Sequence, residues 1–266
     1  MSSTACSDTG TPEPLSVTAA MVVIGDEILS GRTRDKNIGT LADFCGDLAI
    51  DLCEVRIVPD EQDAIVEAIN ALRERNDYVF TSGGIGPTHD DITADAISVA
   101  FDVPLLVNAR ARVILEERYG TVDVSPARLR MARVPEGAVL ILNDVTGAPG
   151  FTIGNVHVMA GVPEILAAML EDLAPRLRGG RKVFTRSIDC GVGESVISSE
   201  LGRIQKKHPM VKMGSYPQMG RLPVYTQLVL RARDVDKLDL ALDDVRALVD
   251  ALHRDKNIVL PKDGKL

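Results

Sequence analysis

Fifteen residues, Thr81 to Asp95 (TSGGIGPTHDDITAD), carry the densest chemistry in the chain. Gly83, Gly84 and Gly86 lie among hydroxyls at Thr81, Ser82, Thr88 and Thr93 and carboxylates at Asp90, Asp91 and Asp95. A buried strand has no use for such a mixture. Glycines let backbone N–H groups approach an anion, and a helix beginning near Asp91 would turn its positive end to the same place. Carboxylates repel phosphate, however, and a divalent cation (Mg²⁺, Mn²⁺ or Co²⁺) bridging the two resolves the conflict. The same residues also suit a bland role: the glycines permit a tight turn, and one of Asp90 and Asp91 caps the following helix in a capping-box pattern. The other carboxylate is then the candidate metal ligand.

The flanking sequence says what must hold these groups. The apolar run AAMVVI within residues 17–24 reads as a strand buried on both faces, ended by Gly25-Asp26-Glu27. Ile38, Leu41, Ala42, Cys45, Leu48 and Ala49 recur at helical spacing, with Thr33 or Asp35 to cap the start. Asn37, at that start, suits a carbonyl or a sugar, or simply a polar helix terminus. Residues 52–58 form a second strand, and Pro59-Asp60-Glu61 turns into a helix with Ile65, Ile69 and Leu72 on one face. A third strand covers 78–81 and a helix 91–101. This alternation predicts an α/β fold, a three-layer, mostly parallel sheet flanked by helices, with right-handed crossovers. Ligands bind such sheets beyond the carboxyl ends of the strands, which places Asp26, Asp60 and the Thr81 loop on one rim. By spacing alone, Asp60 reads as an N-cap.

Further on, residues 108–133 look helical and carry six arginines, read as a solvated face with one or two available to phosphate. A strand at 139–142, a turn-rich connection from Asn143 to Gly150 and a hairpin of 151–153 with 156–159 follow. Ala160-Gly161-Val162-Pro163 then leads into a helix over 164–177. The pattern changes at Arg178-Gly179-Gly180-Arg181. We therefore divide the chain into a tail expected to be disordered (1–16), a main domain (17–178) and a second, smaller α+β domain (181–266). The last is expected to run strand, helix, strand, strand, helix, strand, the final strand at 257–260. Its Gly191-Val192-Gly193-Glu194-Ser195 is a weak phosphate-loop lookalike in which Glu194 or Ser195 caps a helix.

Composition narrows the function classes. A net charge of −8 and pI near 5.1 argue against nonspecific nucleic-acid binding. Cys6, Cys45, Cys53 and Cys190 form no CxxC pair, and His89, His157, His208 and His253 show no metal-ligand spacing. The N-terminus lacks signal-peptide features and no apolar run reaches membrane length, so a cytoplasmic protein without membrane contact is expected.

Five motifs now resemble a known family. GDEILSG (25–31), VPDE (58–61), TSGGIGPTHDDIT (81–93), TGAPGF (146–151) and GVPE (161–164) are similar, in order, to those of the molybdenum-cofactor-biosynthesis (MoaB/Mog) domain. They are closest to its version in competence/damage-inducible protein A (CinA). Residues from Val183 onward also resemble that protein's second domain. Ile85 replaces a threonine, and Asp90 a basic residue, of the molybdopterin-binding branch; both changes lean to the competence branch. Ala160 stands where proline is common. The amidase domain of longer members has no counterpart here, so amidase activity is not expected.

The resemblance implies a small-molecule partner, a pterin or nucleotide phosphate, and a homo-oligomer. It implies ligand binding by Thr81, Ser82, Gly83, Gly84, Gly86, Thr88, Thr93, Asn37 and Gly150, a divalent metal at Asp26, Asp60 and Asp91, and catalysis by Asp60 and Asp91. The leading expectation is metal-dependent hydrolysis of a nucleotide pyrophosphate such as ADP-ribose. The alternatives are a molybdopterin-binding protein of molybdenum cofactor biosynthesis and a binding module without turnover.

Overall fold

Strand β1 (Val17–Ile24) is apolar on both sides because both sides are covered. In the computed structural model, which describes residues 16–120, 125–218 and 225–256, Ala20, Val22 and Ile24 face one core cluster and Val17, Ala19, Met21 and Val23 the other. Around β1 the chain adds α1 (Asp26–Leu29), α2 (Asn37–Asp47), β2 (Ile50–Val58), α3 (Gln62–Arg73), β3 (Tyr78–Ser82) and α4 (Thr93–Phe101). Next come β4 (Leu105–Val107), α5 (Ala109–Tyr119), α6 (Pro126–Arg130), β5 (Arg133–Pro135), β6 (Val139–Ile141), β7 (Gly150–Ile153), β8 (Val156–Met159) and α7 (Pro163–Leu173).

Six strands form one sheet in the order β2-β1-β3-β8-β7-β6. The first four are mutually parallel and the last two join antiparallel. Helices α3 and α4 cover one face through Ile65, Ala68, Ile69, Leu72, Ala96 and Ile97. On the other face lie α2 and α7, through Leu41, Cys45, Leu166, Met169, Leu170 and Leu173. This is the expected three-layer arrangement. Each fully buried aliphatic side chain contributes about 1.5–3 kcal/mol, so both helix layers are held mainly by these stripes.

Three expectations are corrected. Residues 108–133 are not one helix: α5 ends before Gly120, α6 begins at Pro126 with Ser125 as its N-cap, and β5 pairs with β4 in a separate ribbon. Proline and a capping serine start a helix rather than continue one. The helix after Gly161 stops at Leu173 and passes into a 3₁₀ turn, Ala174–Arg176, around Pro175. The third concerns α4, which begins at Thr93 rather than Asp91, for a reason given below.

The compact units divide between Gly180 and Arg181. The second contains β9 (Phe184–Asp189), α8 (Glu194–Lys207), β10 (Lys212–Gln218), β11 (Tyr225–Ala232) and α9 (Val235–Lys256). Its strands form an antiparallel sheet, β10-β11-β9. Leu228 and Leu230 of β11 pack with Ile197 of α8 and with Leu238, Ala241 and Val245 of α9. The strand expected at 257–260 lies outside the described residues, as does the tail up to residue 15. Gly193, not Glu194 or Ser195, holds the N-cap position of α8, with no side-chain cap, and the Glu194 carboxylate instead accepts a hydrogen bond from the Ser215 hydroxyl.

Candidate functional site

Four parallel strands end on one rim. Ile24 pairs with Val58, Val23 with Ser82 and Ser82 with Met159, so the residues after each strand gather together. Asp26, Asp60, the glycine loop and Gly161 therefore share the edge that the alternating pattern predicts.

Three of the helices that start at this rim close on the glycine loop. Asn37, first residue of α2, donates from Nδ2 to Ser82 Oγ and to the Gly161 carbonyl, each at 2.7 Å. Thr93, first residue of α4, donates from its amide to Gly84 O (3.0 Å) and from its hydroxyl to Gly83 O (2.9 Å). Helix α7 follows Gly161, whose Cβ, were it present, would lie 3.3 Å from Gly83 Cα. None of the three N-cap residues, Lys36, Ile92 and Val162, makes a side-chain cap bond, although Asp35 accepts from the Ile38 amide (2.8 Å). First-turn amides have no intrahelical partner, and each N-terminus carries the equivalent of about half a positive charge.

The glycines are demanded by the loop's own packing. Gly83 has φ +111°, and a Cβ there would stand 2.1 Å from the Ile24 carbonyl oxygen. Gly84 has φ +67°, with a Cβ 2.2 Å from Thr93 Oγ1. At Gly86 the Cβ would be 2.7 Å from the Asp91 carboxylate. Ile85, between them, packs against both core clusters and anchors the loop.

The hydroxyls divide into engaged and available. Thr93 is tied to Gly83, and Thr88 donates to Asp91 from both its amide (2.7 Å) and its hydroxyl (2.5 Å). Ser82 accepts from Asn37, and the buried Thr81 hydroxyl has no partner among the described residues.

The acids do not assemble as expected. Asp91 turns back onto its own loop, accepting from the Gly86 amide (2.7 Å) as well as from Thr88, so neither Asp91 nor Asp90 occupies the N-cap position of α4. These bonds brace the loop, and this is why α4 begins two residues late. Asp60 accepts the Asp26 amide at 2.9 Å, joining the ends of β1 and β2. Burial pushes the Asp60 carboxyl above its usual range, and the negative Glu27, Asp26 and Asp90 add to that against the opposing Asp26 amide. Among the described residues no three His, Cys, Asp or Glu side chains form a group that could hold a metal ion. Asp26, Asp60 and Asp91 are thus no preformed cage, because Asp91 points into its loop. What Asp60 offers is one carboxylate in an acidic corner.

Gly150 lies within β7 rather than on the rim surface. It is buried, and a Cβ would meet the Val158 carbonyl oxygen at 2.3 Å. Its neighbour Pro149 instead borders a small cleft with Gly84, Gly86, Asp91, Arg130 and Phe151. Arg130 donates to the Asp91 carbonyl at 3.3 Å. Sequence reasoning missed Arg130 as a neighbour of the loop, since nothing distinguishes it from the other arginines of 108–133. Arg133 forms a forked pair with Asp95 (3.2 and 2.9 Å), and Arg112 pairs with Glu116. Gly161 was also missed as a site residue, although a glycine two positions beyond a short apolar strand was a usable signal. His89 is exposed beside Asp90.

A helix-covered, mostly parallel sheet with a braced glycine loop and three helix starts on one rim defines an α/β small-molecule-binding domain. Residues 20–179 match the family model described as "Probable molybdopterin binding domain", and the chain belongs to that family. Residues 182–256 match a second model, "FAD synthase, middle domain". A protein of Archaeoglobus fulgidus is 28% identical over 229 residues, covering 86% of this chain and 96% of that protein. One from Pyrobaculum arsenaticum is 34% identical over 211 residues, 75% of this chain and 80% of the relative. Among solved structures, CinA of Thermoplasma acidophilum is similar with a TM-score of 0.58 and 31% identity, over 60% of this chain and 98% of its own. Among the described residues no helix is long and apolar enough to cross a membrane.

Proposed function

We propose that the rim binds a phosphorylated pterin of the molybdopterin type. The observation that carries this reading is the convergence of three helix N-termini, at Asn37, Thr93 and Pro163, on the glycine loop, the last two without a side-chain cap. In a chain of net charge −8, an anion needs such a local positive field. Membership of the molybdopterin-binding family supports the pterin over other phosphates. Titration of the purified protein with molybdopterin in a calorimeter is expected to give saturable binding. The dephosphorylated pterin should bind at least about tenfold more weakly, since a hydrogen bond to a charged group contributes about 1.5–3 kcal/mol. Equal affinity for the two pterins would remove the phosphate from the recognition, and no binding of either would remove the pterin.

The crowding of Glu27, Asp26 and Asp90 around Asp60 favours a second reading, hydrolysis of a nucleotide pyrophosphate such as ADP-ribose. The match of the second unit to a FAD synthase segment is consistent with a nucleotide. A divalent ion bound with the substrate phosphates would supply charge neutralisation and an activated water. Asp60 would share in holding it, while the loop and helix starts orient the phosphates. With Mg²⁺, Mn²⁺ or Co²⁺ present, ADP-ribose is then expected to yield AMP and ribose phosphate, and Asp60→Asn to slow this by about 100-fold. The absence of product with every metal leaves binding as the function of the rim.

A further inference from the structure

We propose that Asn37 is a positioning residue that fixes the Ser82 hydroxyl as a hydrogen-bond donor toward a phosphate oxygen of the ligand. The inference rests on the reading of the rim as a phosphate site and adds to it the polarity of one contact.

The argument begins with Gly161. Its carbonyl can only accept, and it lies 2.7 Å from the Asn37 amide group. Turning that amide over would oppose two oxygens at this distance, so Gly161 decides that Nδ2, and not Oδ1, faces inward. The same Nδ2 is 2.7 Å from Ser82 Oγ. Ser82 therefore accepts from Asn37, and its own proton must point elsewhere. Ser82 is the last residue of β3, directly before Gly83 of the glycine loop, and is 2% exposed. A proton presented there matches an acceptor-only group such as a phosphate oxygen and rejects a donor.

The arrangement has a cost that packing alone does not explain. Asn37 is 3% exposed, and its Oδ1 is buried without a partner among the described residues. A stranded buried acceptor costs about 1–3 kcal/mol. An apolar side chain at this helix start would avoid that cost, but it would leave the Ser82 hydroxyl free to turn either way. In this role Asn37 acts on the ligand through Ser82.

The test is a double-mutant cycle read by calorimetric affinity, with molybdopterin and ADP-ribose as the probes, on the wild type, Asn37→Asp, Ser82→Ala and the double variant. A carboxylate at 37 cannot donate to Ser82, so the Ser82 proton is no longer held toward the ligand and can turn inward. Ser82→Ala is expected to weaken binding about tenfold, and the Asn37→Asp loss to be about tenfold smaller in the Ser82→Ala background than in the wild type. The added charge contributes equally to both backgrounds and cancels in the cycle. Independent losses would overturn the role of Asn37 while leaving the phosphate reading intact. Unchanged affinity of Ser82→Ala would overturn the inference even if the Asn37 variants fail to fold. A wild type that binds neither probe overturns the inference together with the reading beneath it.

Discussion

Gly83→Ala is expected to lower stability by about 3 kcal/mol and to abolish binding at the rim. Two independent effects combine. The residue has φ +111°, outside the region open to side chains, and the added Cβ would stand 2.1 Å from the Ile24 carbonyl oxygen. That oxygen belongs to the backbone at the end of β1, in the middle of the sheet, so it cannot swing aside as a side-chain tip would. Relief requires the loop to lift off the strand end, which separates Gly83 from Thr93 and Gly161 and disperses the helix starts. Gly39→Ala is the matching control. It lies in α2 with nothing within 4 Å of its Cβ position, and it should stabilise the protein by up to about 1 kcal/mol through helix propensity. Denaturant midpoints and ligand titrations of both variants check this. A Gly83→Ala protein with wild-type midpoint and affinity would mean that the loop can re-form elsewhere.

Acidification from pH 7 to pH 4 is expected to remove about 3 kcal/mol of stability through His157 alone. This histidine is buried in β8 between the rings of Tyr78 and Phe80, 5.5 and 5.1 Å away by centroid. Its Nδ1 hydrogen-bonds with Thr152 Oγ1 (2.9 Å), whereas Nε2 has no partner among the described residues. Burial, reinforced by the positive charge of Arg176, lowers its pKa from 6.5 to about 4. Between those values the unfolded chain takes up a proton that the folded protein refuses. The neutral ring's contribution is therefore complete above pH 6.5 and is lost progressively as pH falls toward 4. Unfolding free energies of the wild type and of His157→Phe, compared across that range, isolate the effect from other titrating groups. The difference between the two proteins should change by about 3 kcal/mol in favour of the variant as pH falls. A pH-independent difference would place the ring in contact with water.

The organisation of the main unit was legible because its signals are local. An apolar run long enough for a strand covered on both faces yields β1, the recurrence of Ile65, Ile69 and Leu72 yields the inner face of α3, and strand-helix alternation yields parallel strands with a shared rim. For the same reason Asp26, Asp60 and the glycine loop could be placed together before any contact was known. The motif order went further and pointed to the molybdopterin-binding family.

What each side chain does there is a tertiary matter. Asn37 meets Ser82 across 45 residues and Gly161 across 124, distances over which periodicity carries no information. Asp91 was read as a metal ligand because a carboxylate beside glycines permits that role; its actual direction follows from the Gly86 and Thr88 amides, which became available only once the loop had folded against Ile24 and Thr93. Residue types and spacing thus determine which groups reach the rim. Backbone donors and acceptors supplied by distant segments decide which of those groups remain free to bind a ligand, because every buried polar atom takes a partner where one is within reach.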